Sequence, residues 1–175
     1  REDNYTFIGS IDSEGSPTVS KYDHRTKIMS CSVTLKYALQ KDDHNNPGLL
    51  IRDSDKKIMA FYSKHGSGGT GYFMRVSKNA LDIDTWETDV DISTALGSSN
   101  SAYANPIQLT GEENEPIYLF WRETVDGGNY GTMCGKSVDG GVNWTSKLLV
   151  KNGTQRPYFR AINNGTGRID FVTTE

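Results

Sequence analysis

Short apolar stretches recur along the chain, and turn-forming residues separate them. Three of these stretches begin with a proline and are followed, about 11 residues after the proline, by a second apolar stretch. The three pairs begin at Pro47 and Ile58, Pro106 and Ile117, and Pro157 and Ile169. Apolar runs of this length, bounded by Gly, Asn, Asp and Glu, are typical of strands joined in hairpins. The pattern therefore predicts three equivalent β-hairpins.

Two of the repeats continue beyond the hairpin. A third strand-like stretch ends at Ser77 in one copy and at Ser137 in the other, about 30 residues after the proline. A loop that ends in a tryptophan, Trp86 or Trp144, follows each serine and leads to a candidate fourth strand. Four strands per repeat, at a spacing of about 50 to 60 residues, are typical of the blades of a β-propeller.

The repeat predicts an all-β protein in which residues 1–175 form one partial β-propeller domain of three to four four-stranded blades. The blades are expected to start near Tyr5, His44, Tyr103 and Thr154. Because 175 residues are few for a closed ring, we expect a portion of a larger ring whose remaining blades come from the same or another chain. A closed four-bladed ring is the less favoured alternative. The residues expected on comparable faces of the innermost strands are Leu49, Ile107 and Phe159.

The loop after the third strand of one repeat carries a defined motif. Residues 137–144, Ser-Val-Asp-Gly-Gly-Val-Asn-Trp, match the Asp-box pattern Ser-x-Asp-x-Gly-x-x-Trp at every defined position. The aspartate can accept backbone N–H groups across the turn, glycine permits a positive φ, and the tryptophan packs the hairpin onto the blade. The motif supports the propeller fold and says little about chemistry. A calcium or sugar site at Asp139 is the minor alternative.

Charge, hydropathy and cysteine content narrow the functional classes. The formal net charge is -3 and the pI is about 5.6, so no basic surface for nucleic acid is expected. No apolar run approaches the roughly 20 residues that a membrane-spanning helix needs. Cys31 and Cys134 fit neither a disulfide scaffold nor a metal-binding pair, so we expect two free thiols. The charged first residues are not a signal peptide, and a removed leader stays open.

The repeat also aligns residues with candidate chemistry. In a propeller the first strand of each blade lines the central channel, so equivalent positions of neighbouring blades point to a common axis. His44 and Tyr103 lie three residues before the blade proline, while Asn46, Asn105 and Arg156 lie one residue before it. A histidine, a tyrosine and an arginine that converge at one mouth of the channel would form an acid–base and anion-binding set.

Two further candidates belong to second strands. His65 lies just beyond the second strand of one blade, and Arg122 lies in the second strand of the next. Each has a purely structural alternative, because His65 can be a hydrogen-bonding loop residue and Arg122 can pair with Glu123 or Glu115. His24 lies in a turn away from this set, and we expect it to be exposed to solvent.

At these residues the sequence resembles the BNR-repeat propeller proteins that include the propeller-type ulvan lyases. The matching segments are the Asp-box and residues 22–24, 42–47, 61–66, 103–106, 118–122 and 155–158. They follow one another in order over almost the whole chain. The resemblance implies a seven-bladed propeller and the β-elimination of a uronate-containing, often sulfated, polysaccharide.

The resemblance also implies roles for individual residues. The positions that look catalytic in the family fall on His44, His65, Tyr103 and Arg122. In such a reaction arginine neutralises the uronate carboxylate, while histidine and tyrosine share the roles of base and acid. The residues expected to bind the substrate are Asn45, Asn46, Asn105 and Arg156. We expect an acidic polysaccharide as the partner, no metal and no cofactor, and a secreted or cell-surface location.

Two other functions stay open. A sialidase-type glycoside hydrolase, whose family also carries Asp-boxes, would need an arginine triad, a tyrosine–glutamate pair and a catalytic aspartate. Arg122, Arg156 and Tyr103 could take part in such a site, but His44 and His65 would then have no role. A non-catalytic glycan-binding propeller, such as an adhesin or a viral receptor-binding piece, would need no base. Formation of an unsaturated uronate product separates the lyase from both.

Overall fold

The chain folds into consecutive antiparallel β-sheets. A computed structural model describes residues 2–66, 71–165 and 167–174. Within these residues helical structure is limited to α1 (Ser93–Leu96) and two short 3₁₀ turns, Asp43–Asn45 and Asp126–Gly128. None of the helices in the described ranges is long and apolar enough to cross a membrane. The predicted all-β fold of four-stranded blades is confirmed.

Each sheet is one blade. Blade 1 comprises β1 (Tyr5–Ile11), β2 (Pro17–Asp23), β3 (Ile28–Met29) and β4 (Val33–Thr34). Blade 2 comprises β5 (Gly48–Ile51), β6 (Lys57–Ser63), β7 (Tyr72–Ala80) and β8 (Val90–Asp91). Blade 3 comprises β9 (Ser101–Gln108), β10 (Ile117–Thr124), β11 (Tyr130–Ser137) and β12 (Thr145–Lys151). Blade 4 is described as the hairpin of β13 (Phe159–Asn163) and β14 (Ile169–Thr173). In blades 2 and 3 the strands pair in chain order; in blade 1, β3 and β4 both pair with β2.

The second strand of a blade is buried on both faces, which explains why its apolar residues are consecutive rather than alternating. In β6, Ile58 and Tyr62 pack against blade 1, while Met59 and Phe61 pack against blade 3. A third cluster fills the space between blades 3 and 4, where Phe120 is packed near Phe159. The core is therefore divided into layers between blades, and each blade depends on its neighbours.

The first strands of neighbouring blades pack directly against one another, in the order β1, β5, β9 and β13. At Gly48 an added Cβ would lie 2.4 Å from the carbonyl oxygen of Ala104 in the next blade. A side chain at this position would therefore push the two inner strands apart. This arrangement confirms that the proline-led segments are the innermost strands.

The alignment of the prolines across blades is wrong by two residues. Gly48 pairs with Phe61 in blade 2, whereas Asn105 pairs with Phe120 in blade 3, so Pro47 and Pro106 are not equivalent. As a result Leu49, Ile107 and Phe159 do not lie on the same face of their blades, although the sequence predicted that they would. Leu49 and Phe159 face the preceding blade, but Ile107 faces the following one.

The Asp-box has the predicted turn structure. Asp139 Oδ1 accepts hydrogen bonds from the backbone N–H groups of Val142 and Asn143, at 3.1 and 2.9 Å, and from the Ser137 hydroxyl at 2.8 Å. Trp144 is buried between blades 2 and 3, and its indole N–H donates to the carbonyl of Gly141. The aspartate is thus occupied with its own loop. Both cysteines are free, as predicted, with Cys31 exposed and Cys134 buried.

Candidate functional site

The site begins at the short turn that precedes β5. Asp42 caps the 3₁₀ turn Asp43–Asn45, and its carboxylate accepts the backbone N–H of His44 at 2.9 Å. The Asn46 side-chain amide donates to the carbonyl of Asp43 at 2.9 Å and closes the turn. An aspartate at a cap position commonly binds a backbone N–H two or three residues ahead. This turn presents the His44 imidazole beside His65.

Asp42 also joins the two histidines. His44 Nδ1 lies 2.5 Å from Asp42 Oδ1, and His65 Nδ1 lies 3.0 Å from Asp42 Oδ2. The two imidazole rings stack with their centroids 3.9 Å apart. Partial burial alone would raise the pKa of Asp42, but the His44 backbone N–H and the two imidazoles outweigh it and lower that pKa to about 2. One carboxylate therefore fixes the orientation of both rings.

Gln40 supports the two histidines through hydrogen bonds to the His65 backbone and the Asn45 side chain. Its amide oxygen accepts the backbone N–H of His65 at 2.8 Å, and its amide nitrogen donates to the His65 carbonyl at 2.8 Å. The same oxygen accepts a hydrogen bond from the Asn45 side chain at 3.0 Å. Asn45 is fully buried, so its predicted contact with substrate is replaced by a supporting role beneath the turn.

Tyr103 owes its position to a β-bulge in β9. Asn105 pairs with Phe120 and Ala102 pairs with Arg122, so Tyr103 and Ala104 together lie opposite the single residue Trp121. Tyr103 has φ of 64°, a conformation that a non-glycine residue rarely adopts. Bulges re-aim side chains, and strained residues of this kind cluster at functional sites. Here the bulge brings the Tyr103 ring to 4.9 Å from the His44 ring.

Arg122 lies in β10 inside a ring of tyrosines. Its guanidinium carbon is 4.7 Å from the ring centre of Tyr103, 5.5 Å from that of Tyr158 and 5.8 Å from that of Tyr130. The residue is only 3% exposed, and its Nη1 has no hydrogen-bond partner among the described residues. A buried cation without a partner is costly, so the arrangement favours the entry of an anion.

The carboxylate next to Arg122 in sequence is not available to it. Glu123 is buried and accepts hydrogen bonds from the indole of Trp121 at 2.8 Å and from the loop at Ser98 and Asn100. Asn100 in turn accepts the backbone N–H of Gly66, directly after His65. The alternative in which Glu123 pairs with Arg122 is therefore not supported, and Glu123 instead secures the loop beside the site.

Burial and neighbouring groups shift the pKa of the Tyr103 hydroxyl in opposite directions. Partial burial raises the pKa of the Tyr103 hydroxyl, the positive charge of Arg122 opposes that rise, and the neighbouring Tyr158 adds to it. The net shift is upwards from the ordinary value for tyrosine. Tyr103 therefore keeps its proton at neutral pH, and the nearby charge of Arg122 is what favours the loss of that proton.

Arg156 approaches the same region from the rim. Its Nε donates to the Tyr130 hydroxyl at 3.0 Å, and its guanidinium carbon lies 5.4 Å from the Tyr130 ring centre. Arg156 is exposed, whereas Arg122, which also lies near the Tyr130 ring, is buried. A cavity of about 150 Å³ is lined by both arginines, Tyr130 and His65.

The same cluster of residues also lines a second, larger groove of about 500 Å³. It is lined by His44, Asn46, Tyr103 and Asn105, among other residues. The four predicted catalytic residues thus form a continuous chain of contacts that runs from one cavity to the other. The order of contacts is His65, His44, Tyr103 and Arg122.

Sequence reasoning missed several members of the cluster. Asp42 stands within the segment that carries the family resemblance, and its place two residues before His44 is a recognisable capping signal. Gln40, Tyr130 and Tyr158 gave no such signal, because only the packing of blades brings them to the site. The imidazole nitrogens and the carboxylate of Asp42, His44 and His65 also lie within 4.8 Å of one another, close enough for a metal ion.

Comparisons with known proteins agree with this architecture. The sequence profile described as "BNR repeat-containing family member" matches residues 5–175. The chain is similar in structure to "Hadza microbial sialidase Hz136", with a TM-score of 0.60 and 13% sequence identity over 97% of this chain. The chain spans 41% of the length of that sialidase. No curated protein matches the chain. Because the family profile covers nearly all of the sequence, the chain belongs to the BNR repeat-containing family.

Proposed function

We propose that this protein is a polysaccharide lyase that cleaves a uronate-containing polysaccharide by β-elimination. One observation carries the proposal: the buried guanidinium of Arg122 has an unpartnered Nη1 and lies in contact with Tyr103, next to the paired histidines. A site for an anion thus adjoins an acid and a base. The BNR family and the sialidase-like fold support the broader statement that this is a propeller acting on glycans.

The first step is neutralisation of the substrate carboxylate. A planar guanidinium offers paired N–H donors that match the two oxygens of a carboxylate, and in a buried site this charge-assisted pair is strong. Binding there withdraws electron density from C5 of the uronate, so the C5 proton becomes more acidic. Arg122 would also stabilise the enolate-like charge that develops as this proton leaves.

His44 is the best placed base. A carboxylate can only accept hydrogen bonds, so Nδ1 of His44 carries the proton that is donated to Asp42. The Nε2 atom is then left with a free lone pair. The Asp42 carboxylate would stabilise the imidazolium that forms when Nε2 takes the C5 proton, as an orienting carboxylate does in catalytic triads. His65 stacks on His44 and lines the cavity of Arg122.

Tyr103 is the acid that completes the elimination. The electron pair of the broken C5–H bond forms the C4–C5 double bond, the C4–O4 bond breaks, and O4 takes the hydroxyl proton of Tyr103. His44 ends as an imidazolium and Tyr103 as a tyrosinate, and a proton moved between these neighbouring rings restores both. The raised pKa keeps Tyr103 protonated at neutral pH, so it is available as a donor and not as a base, and the charge of Arg122 would stabilise the tyrosinate that forms.

The arrangement favours this reaction over the two alternatives. A sialidase-type hydrolase pairs its nucleophilic tyrosine with a glutamate, but Tyr103 contacts His44, Tyr158 and Arg122, and Glu123 is occupied by the loop and Trp121. A purely binding propeller would use the tyrosine-lined arginine and have no need of two imidazoles that share a carboxylate.

The proposal is tested by following the ultraviolet absorbance of the unsaturated uronate while the protein acts on a panel of uronate polysaccharides. We expect product with the wild type, and a fall in turnover of roughly 10²–10⁴ for His44→Gln and for Tyr103→Phe, with sugar affinity little changed. His24→Gln serves as the matched control, because His24 lies in blade 1 and hydrogen-bonds to Thr6. Unchanged turnover in the His44 and Tyr103 variants would end the catalytic assignment.

A further inference from the structure

The two histidines and their shared carboxylate have a second chemical capacity, and a fourth donor lies next to them. Asp43 Oδ1 is 3.1 Å from His44 Nδ1, so this nitrogen lies between two carboxylates, those of Asp42 and Asp43. His65 Nδ1 faces the other oxygen of Asp42 at 3.0 Å. Two imidazole nitrogens and the Asp42 carboxylate thus converge on one small volume, and the Asp43 carboxylate lies beside His44 at its edge.

We propose that Asp42, Asp43, His44 and His65 form a binding site for a divalent transition-metal ion of the Zn²⁺ class, and that the bound ion switches off the base. The second half of this statement rests on the proposed function; the metal site itself does not. The sequence does not reveal the site, because His65 is 23 residues away from Asp42 and no ligand spacing links them.

The distances are close to those of a coordination sphere. Zn²⁺ binds imidazole nitrogens and carboxylate oxygens at about 2.0–2.2 Å, which places neighbouring tetrahedral ligands about 3.4 Å apart. The present separations are 2.5, 3.0 and 3.1 Å, and each would have to open by less than about 1 Å. The exposed Asp43 side chain, at 93%, is free to make this adjustment.

The donor types select the ion. Two neutral imidazoles favour Zn²⁺ and similar first-row ions, whereas Ca²⁺ and Mg²⁺ prefer sites built from oxygen alone. Two carboxylates balance the charge of a divalent ion. No thiol belongs to the group, since the free cysteines lie elsewhere in the described structure.

The ligands are held in advance by a second layer of hydrogen bonds. Gln40 binds both the N–H and the carbonyl of His65, and the Asp42 carboxylate binds the backbone N–H of His44. Outer contacts of this kind orient metal ligands, and their loss commonly weakens metal affinity about 10- to 100-fold. The side chains of Asp42, His44 and His65 remain partly exposed, so an ion can enter from the cleft.

Metal binding and base catalysis exclude each other at His44. An ion on Nδ1 displaces the proton that this atom donates to Asp42, and a neutral imidazole bound through Nδ1 carries its proton on Nε2. Nε2 then has no free lone pair to take the C5 proton. Each neutral ring keeps its single proton, which solvent carries from Nδ1 to Nε2, and no oxidation or reduction is involved.

The test is calorimetric titration of the whole protein with Zn²⁺, backed by the visible absorption of bound Co²⁺. We expect one ion per chain, affinity reduced at least about 100-fold by His65→Gln and about 10-fold by Asp43→Asn, and no change in His24→Gln. Asp43→Asn guards against misfolding, because its exposed side chain has no part in the core. Zn²⁺ that binds His65→Gln as tightly as the wild type would overturn the site.

Activity separates this inference from the proposed function. In a turnover assay Zn²⁺ should abolish product formation by the wild type, and a chelator should restore it. Full activity in the Zn²⁺-saturated protein would overturn the switch while leaving the lyase intact. Should no polysaccharide be cleaved at all, the titrations alone still decide whether the metal site exists.

Discussion

Replacing Arg122 with methionine should make the folded protein more stable while removing the proposed anion site. The buried guanidinium carries a desolvation penalty of several kcal/mol, and its Nη1 has no hydrogen-bond partner among the described residues to offset this. Its contacts with three tyrosine rings return about 0.5–1 kcal/mol each, or about 1.5–3 kcal/mol together. The penalty exceeds this return, so Arg122→Met is expected to gain about 1–2 kcal/mol.

Thermal unfolding measures this gain. For a chain of this size each kcal/mol corresponds to about 2–4 °C, so Tm should rise by about 2–8 °C. A uronate oligosaccharide at about 100 times its Kd should add about 2.7 kcal/mol to the wild type and nothing to the variant.

The control is Arg25→Met, since Arg25 also lies over a tyrosine, Tyr5, but is exposed to solvent and paired with Asp23. This substitution should leave Tm almost unchanged. If Arg122→Met were destabilised by 2 kcal/mol or so, Arg122 would be a structural residue and the anion site would lose its basis.

Three further substitutions test the supports of the site and the fold. Gln40→Ala removes the hydrogen bonds to His65 and Asn45, so it should lower the free energy of unfolding, measured in urea, by about 2–4 kcal/mol. An unchanged urea midpoint of unfolding would mean that other contacts hold His65. Asp139 has its pKa lowered to about 2, chiefly by the Asn143 backbone N–H, so it stabilises the fold above pH 4 or so and less as pH falls towards 2. Asp139→Asn should therefore lower Tm at pH 7, and the difference should shrink in acid; a constant difference would contradict this. Gly48→Ala should disrupt the contact of β5 with β9 and reduce Tm, whereas an unaltered Tm would show that the inner strands can separate at no cost.

The fold could be predicted from the sequence because its strand pattern repeats. Neighbouring blades cover both faces of each inner blade, so second strands such as β6 are continuous apolar runs that the sequence shows directly. The Asp-box turn is stabilised by hydrogen bonds among its own residues, so its motif is also visible in the sequence. The alignment of first strands failed because the prolines occupy different positions relative to the paired strand, as Gly48 and Asn105 show. Pairing register depends on contacts between strands, which residue spacing alone does not record.

The site was predictable in part. His44, Tyr103 and Arg122 were identified, and the structure brings them together. The bulge at Tyr103 was not foreseen, since neither a glycine nor an asparagine marks its positive φ. The support from Gln40 was also missed, because it joins residues 25 apart that carry no shared motif.

The most direct test of the lyase assignment is the fate of water in the reaction. The protein is incubated with a uronate polysaccharide in ¹⁸O-labelled water, and the masses of the products are measured by mass spectrometry. Elimination predicts a new chain end with a C4–C5 double bond, lighter by one water than a hydrolysis product, and no ¹⁸O in either fragment. Incorporation of one ¹⁸O per cleavage, with saturated ends, would mean that the glycan-cleaving site is a hydrolase and would contradict the account.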